Sequence, residues 1–145
     1  AERMGQQPWE IVASDISTRI LDQARRAIYP MERAEKIPQS YLKAFCLKGV
    51  GAQAGSFTLQ PSIRERVRFQ AINLNTALPD NGLFDLIVLR NVMIYFDADT
   101  KRAVCRRLLD VLRPGGHLFI GHSESLNGLD LPVQAVQPAV YRKPG

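Results

Sequence analysis

The chain has 145 residues, 46% of them hydrophobic and 23% charged, with a formal net charge of +5. This is the balance of one globular domain with enough length to bury a core, and no repeat, low-complexity tract or long block of like charge interrupts it. No run is long and apolar enough to span a membrane, and the first ten residues, AERMGQQPWE, lack the apolar core of a signal peptide. The positive excess favours acidic partners without naming one, and a solvated basic surface explains it more simply. The two cysteines, Cys46 and Cys105, form no CxxC or metal-ligand spacing. No metal site is expected, and reduced thiols in a cytoplasmic protein are the default.

In chain order, Glu10 to Ser14 reads as a short strand that Asp15 ends. Ser17 is placed to N-cap a helix with Ile20, Leu21, Ala24, Ala27 and Ile28 at helical spacing, stopping near Tyr29 because Pro30 disfavours helical geometry before it. Residues 31–66 break the pattern. Pro38 precedes a short amphipathic stretch, and Gly49, Gly51 and Gly55 surround a candidate strand from Ser56 to Leu59. These glycines lack the GxGxxG or GK(S/T) pattern of a phosphate cradle, so a β-hairpin loop is expected. The region from about 40 to 66 reads as a small β excursion that must pack on its parent. Val67 to Ile72 then alternates like a strand and closes on Asn73-Leu74-Asn75; 77–82 reads as a loop.

Residues 84–96, FDLIVLRNVMIYF, organise the remainder. Phe84 to Leu89 is a continuous apolar run suited to a strand buried on both faces, and Arg90 and Asn91 arrive at its end. Asp97 or Asp99 caps the following helix, whose apolar face is Val104, Leu108, Val111 and Leu112. Lys101, Arg102, Arg106 and Arg107 are expected to lie mostly outward, and the helix is expected to stop at Arg113 before Pro114-Gly115-Gly116. His117 to Gly121 is the next strand. His122-Ser123-Glu124 reads as a loop, because triad members meet from separate segments rather than from consecutive positions. Val133 to Gln137 and Ala139 to Lys143 read as two antiparallel strands at the sheet edge.

Strand–helix alternation of this kind implies an α/β fold with a mostly parallel sheet. Ligands of such sheets bind beyond the carboxyl ends of the strands. Asp15, Asn73 and the Arg90-Asn91 pair each follow a strand. A carboxylate there can accept from a ribose diol and an Asn can read a purine edge, although each also has an ordinary role in a turn. Together, at one edge of one sheet, they describe a nucleoside site.

The motifs ASDI (13–16), AxxAIYP (24–30), FxxxNLN (69–75), LRNVMIYFD (89–97), LLxxLRPGGHLFIGHSE (108–124) and VYRK (140–143) resemble the chemotaxis receptor methyltransferase family, CheR, within the class I S-adenosylmethionine-dependent methyltransferases. The resemblance covers nearly the whole chain. It implies a Rossmann-like sheet, mostly parallel with an antiparallel C-terminal hairpin, over residues 1–145, with an inserted β-subdomain at about 40–66. It implies that Asp15 holds the ribose hydroxyls of S-adenosyl-L-methionine, that Asn73 and Leu74 line the adenine, that Arg90 and Asn91 contact the cofactor, and that Tyr95 stands near the methyl-transfer site, although Tyr95 also has an ordinary packing role in so apolar a run.

The implied reaction is in-line transfer of the sulfonium methyl to a glutamate carboxylate on a cytoplasmic helix of a chemoreceptor, leaving S-adenosyl-L-homocysteine. A carboxylate is already ionised near neutrality, so positioning rather than a strong base is required. In some members the β-subdomain docks a peptide at the receptor's tail. Neither nucleic acid nor membrane insertion is expected, and the oligomeric state is left open. Where amino-methylating nucleic-acid enzymes carry an Asn/Asp-Pro-Pro-aromatic run, this chain has Arg90-Asn91-Val92-Met93, which disfavours that rival; a methyltransferase-like binding module is the other. The family's first strand and Gly-containing cofactor loop are not found before Asp15. The chain therefore reads as the C-terminal part of a longer protein and is expected to bind cofactor poorly alone.

Overall fold

The computed structural model describes residues 1–145, which divide into two compact units, Ala1–Ile72 and Asn73–Gly145.

In the first unit, β1 (Ile11–Asp15) pairs in parallel with β5 (Val67–Ala71), with Ile11 opposite Val67 and Asp15 opposite Ala71. Between them runs α1 (Thr18–Arg26). Ser17 caps it as expected, its side chain accepting the Ile20 N–H. The helix stops short of Tyr29. Ala27 takes a left-handed conformation (φ 52°) and returns its N–H to the Ala24 carbonyl, which ends the helix and leaves Ile28 outside it and exposed. Tyr29–Pro30 is instead a two-residue strand, β2, on one side of β4 (Ser56–Leu59); β3 (Cys46–Lys48) lies on the other, both antiparallel. Two short helices, α2 (Gln39–Phe45) and α3 (Pro61–Arg64), flank this three-stranded sheet. Phe57 of β4 is buried, and its ring lies 5.5 Å from that of Tyr29.

The second unit carries the main hydrophobic core. Its sheet has the order β6-β7-β9-β8, from β6 (Phe84–Leu89), β7 (Leu112–Ile120), β8 (Gln134–Gln137) and β9 (Val140–Arg142). β6 and β7 are parallel, and β9 and β8 add antiparallel, forming the closing hairpin read from the sequence. Helix α4 (Ala98–Asp110) buries Val104, Cys105, Leu108 and Leu109 in a cluster with Leu89, Met93, Leu112, Leu118, Ile120 and Tyr141.

Two expectations change here. First, β6 is not buried on both faces: Leu86 is 49% and Val88 58% exposed, while Leu89 is buried. β6 stands at the edge of its sheet, and the alternation of side chains turns only one set toward the core. Second, α4 ends at Asp110, and Arg113 lies within β7. The Pro114-Gly115-Gly116 stretch is looped out of the β6–β7 register, which jumps from Phe84↔Leu112 to Leu86↔His117. It is held by backbone bonds from Gly115 N–H to the Lys143 carbonyl and from Lys143 N–H to the Gly116 carbonyl. The Lys143 ammonium donates to the carbonyls of Leu109 (2.6 Å) and Leu112 (2.8 Å), a cationic cap at the helix end.

Both cysteines are free. Burial pushes the thiol of Cys105 up to about 11, with a further contribution from the Glu124 carboxylate, while that of half-buried Cys46 is raised by burial alone. The thiolate is the reactive form. Iodoacetamide at neutral pH is therefore expected to alkylate Cys46 first and to reach Cys105 only when the core opens. Equal rates in the native protein, read by mass spectrometry, would contradict this packing.

Of the two aspartates offered as caps for α4, it is Asp97 whose side chain accepts the Thr100 N–H (2.8 Å). Its bonds to the Thr100 backbone and hydroxyl hold its pKa below the ordinary 3.8. The folded state thus favours the ionised form. The cap's contribution is complete above the unfolded pKa and is lost as pH falls through the lowered folded one. Asp97→Asn, which keeps an acceptor, is expected to flatten the acid limb of the melting profile; an unchanged limb would show that another group controls it.

Candidate functional site

Asp15 is the last residue of β1 and is half-buried. Its Oδ1 accepts the Ser17 N–H at 2.8 Å, and its own carbonyl accepts from Ile72 N–H. The turn role weighed from the sequence is present: Asp15 orders the passage from β1 into α1. It also stands where the parallel pair β1–β5 ends, the position from which a carboxylate meets a ligand in this fold class.

The Asn73–Thr76 turn is fastened from within. Asn73 Oδ1 accepts the Asn75 N–H (3.0 Å), and the Asn73 carbonyl accepts from the Thr76 hydroxyl (3.0 Å). Arg107 is not directed outward as expected. From α4 its Nε (3.0 Å) and Nη2 (2.7 Å) both donate to the Leu74 carbonyl, so a guanidinium anchors the turn to the helix. Arg102 behaves alike, giving its Nε to the Leu129 carbonyl (2.9 Å).

At the end of β6, Arg90 and Asn91 are exposed, and Asn91 adopts a left-handed φ of 59°. Asn tolerates this conformation better than most residues, and a second group holds it here. Glu124, beyond the end of β7, accepts through Oε2 from Gly121 N–H (2.8 Å) and Asn91 N–H (3.3 Å). One carboxylate oxygen thus ties the ends of two neighbouring strands. The other, Oε1, is buried with no hydrogen-bond partner, an arrangement that costs about 1–3 kcal/mol. A Cβ on Gly121 would stand 2.7 Å from Glu124 Oε2 and 3.1 Å from Asn91 Oδ1, so a larger residue there would displace the end of the Glu124 side chain.

Past Asn91, Met93–Tyr95 forms one 3₁₀ turn. Met93 is 1% exposed and anchors it in the core, whereas Tyr95 is 81% exposed. The ring does not pack into the core as the apolar run allowed. Asn91, Gly121 and Glu124 are thus brought together; Leu74 is tied to α4, and Asp15 belongs to the first unit. A separate cleft of about 520 Å³ in the first unit, bordered by Ala24, Tyr29, Leu59 and Arg64, contains none of the candidate residues. The sequence offered one signal for Glu124, its place just after a strand.

A solved structure of the N-methyltransferase NodS from Bradyrhizobium japonicum WM9 matches with a TM-score of 0.52, over 94% of this chain and 74% of that one, at 16% identity. That likeness is of fold alone. The family model described as "CheR methyltransferase, SAM binding domain" matches residues 1–141, and the chain belongs to that family. It is 43% identical over 135 residues to "Chemotaxis protein methyltransferase 2" of Pseudomonas aeruginosa, covering 92% of this chain and 48% of the relative. It is 36% identical over 135 residues to "Chemotaxis protein methyltransferase" of Escherichia coli, covering 90% and 46%. The chain therefore spans about half the length of these relatives. No helix is long and apolar enough to cross a membrane.

Proposed function

We propose that this chain forms the adenosine-binding part of a cytoplasmic methyltransferase that esterifies glutamate side chains on chemoreceptor helices. The observation that carries this reading is the family match over residues 1–141, on a chain whose polar candidates follow its parallel strands. The donor set suits S-adenosylmethionine. Asp15 supplies a carboxylate acceptor for a ribose diol, and the fastened Asn73–Leu74 turn offers an amide and an apolar edge for adenine. Arg90 and Asn91 supply donors past β6. When bound, S-adenosylmethionine supplies an electrophilic methyl group. The chain's own residues would hold and orient it, with exposed Tyr95 near the methyl-transfer site. No strong base is needed for an acceptor that is already ionised. The inserted β-subdomain at about 40–66, which carries β3 and β4, is assigned to receptor-tail contact.

The test is product chemistry. Expressed with the flanking sequence that brings it to the length of its relatives, the protein is expected to transfer labelled methyl groups to a chemoreceptor. The product should release methanol in mild base, as carboxyl esters do. Arg90→Ala is expected to lower transfer at least tenfold, the scale of one charge-assisted contact, with folding retained. Base-stable label, or label on nucleic acid, would overturn the assignment; binding to receptor without transfer would make the chain a recognition module instead.

A further inference from the structure

We propose that Glu124 is a positioning residue that sets the Arg90–Asn91 turn for the adenosine-bearing methyl donor; this rests on the function proposed above. Four observations lead to it. Oε2 of Glu124 receives two backbone N–H groups, from Gly121 at 2.8 Å and Asn91 at 3.3 Å, and so joins the carboxyl ends of β7 and β6. Asn91 adopts a left-handed φ of 59°, and its N–H is one of the two that Glu124 Oε2 receives. A Cβ on Gly121 would meet Glu124 Oε2 at 2.7 Å and Asn91 Oδ1 at 3.1 Å, so the small residue lets the carboxylate sit against both strand ends. Finally, Oε1 is buried and unpartnered.

The chemistry requires only an acceptor at Oε2. Glu124→Gln preserves a carbonyl oxygen at the same reach. Glu124→Ala removes it. Gly121→Ala places a methyl within 2.7 Å of Glu124 Oε2, pressing on the clamp while leaving Glu124 in the chain.

Two readouts, on the protein expressed with the flanking sequence that brings it to the length of its relatives, separate positioning from simple stabilisation. The first is amide hydrogen exchange at Asn91 and Gly121, followed by NMR. Glu124→Ala and Gly121→Ala are expected to speed exchange at Asn91 at least tenfold, while Glu124→Gln stays close to the parent. The second is the dissociation constant for S-adenosylhomocysteine, from chemical-shift titration. It is expected to rise about tenfold in Glu124→Ala and to be restored within threefold by Glu124→Gln. Unchanged Asn91 exchange in Glu124→Ala would overturn the clamp. Faster exchange with unchanged affinity would overturn the positioning role alone. A parent chain that shows no titration shifts would overturn the cofactor reading, and the positioning role with it, and the exchange data would show whether the clamp itself exists.

Discussion

Leu118→Ala is expected to destabilise residues 73–145 by about 2–5 kcal/mol, a large share of the roughly 5–15 kcal/mol that holds a typical domain folded. Leu118 is 0% exposed at the centre of β7, opposite Ile87 of β6 and Tyr141 of β9. Truncation there removes apolar contact and leaves a cavity that neither neighbouring strand can fill without breaking register. Urea unfolding followed by circular dichroism measures the loss. A change below about 1 kcal/mol, the range of an ordinary surface substitution or less, would mean that this cluster is not the core of the unit.

Asp15→Ala is expected to weaken binding of S-adenosylmethionine most among the candidate positions, by about 1.5–3 kcal/mol, or roughly 10- to 100-fold. The side chain serves two purposes that a second variant separates. Its Oδ1 orders the Ser17 turn, and under the proposed function the carboxylate also accepts from the ribose. Asp15→Asn keeps an oxygen for Ser17 but replaces the other acceptor with a donor. If the ribose role holds, Asn should leave thermal stability near that of the parent while binding falls nearly as far as in Ala. If only the turn matters, Asn should rescue both. Calorimetric titration beside a melting curve distinguishes these outcomes.

Much of the architecture was legible in the sequence because local chemistry decides it. The FDLIVL run, the Ser17 and Asp97 caps and the closing hairpin all depend on residues close together in the chain, and all occur where expected. The misread features depend on distant partners. The apolar run gave no count of β6's neighbours, so the exposure of Leu86 and Val88 could not be foreseen. Pro114-Gly115-Gly116 carries the chemistry of a helix stop, but Lys143, far along the chain, supplies the bonds that draw it into a strand. Helix-face arithmetic turned Arg107 outward, and the carbonyl that captures it lies 33 positions away. The site divides in the same way. Asp15, Asn73, Arg90 and Asn91 were visible as polar residues closing apolar strands. Glu124 sits in the His122-Ser123-Glu124 loop, and its link to Asn91 spans 33 residues and has no local signature.

The most direct test of the central claim is an NMR titration of the ¹⁵N-labelled 145-residue chain with S-adenosylmethionine. The account predicts weak but saturable shifts gathered at Asp15–Ile16, Asn73–Leu74 and Arg90–Asn91 together, following a single binding curve. Shifts confined to one of these strand ends, following separate curves, or clustered elsewhere would contradict a shared adenosine site.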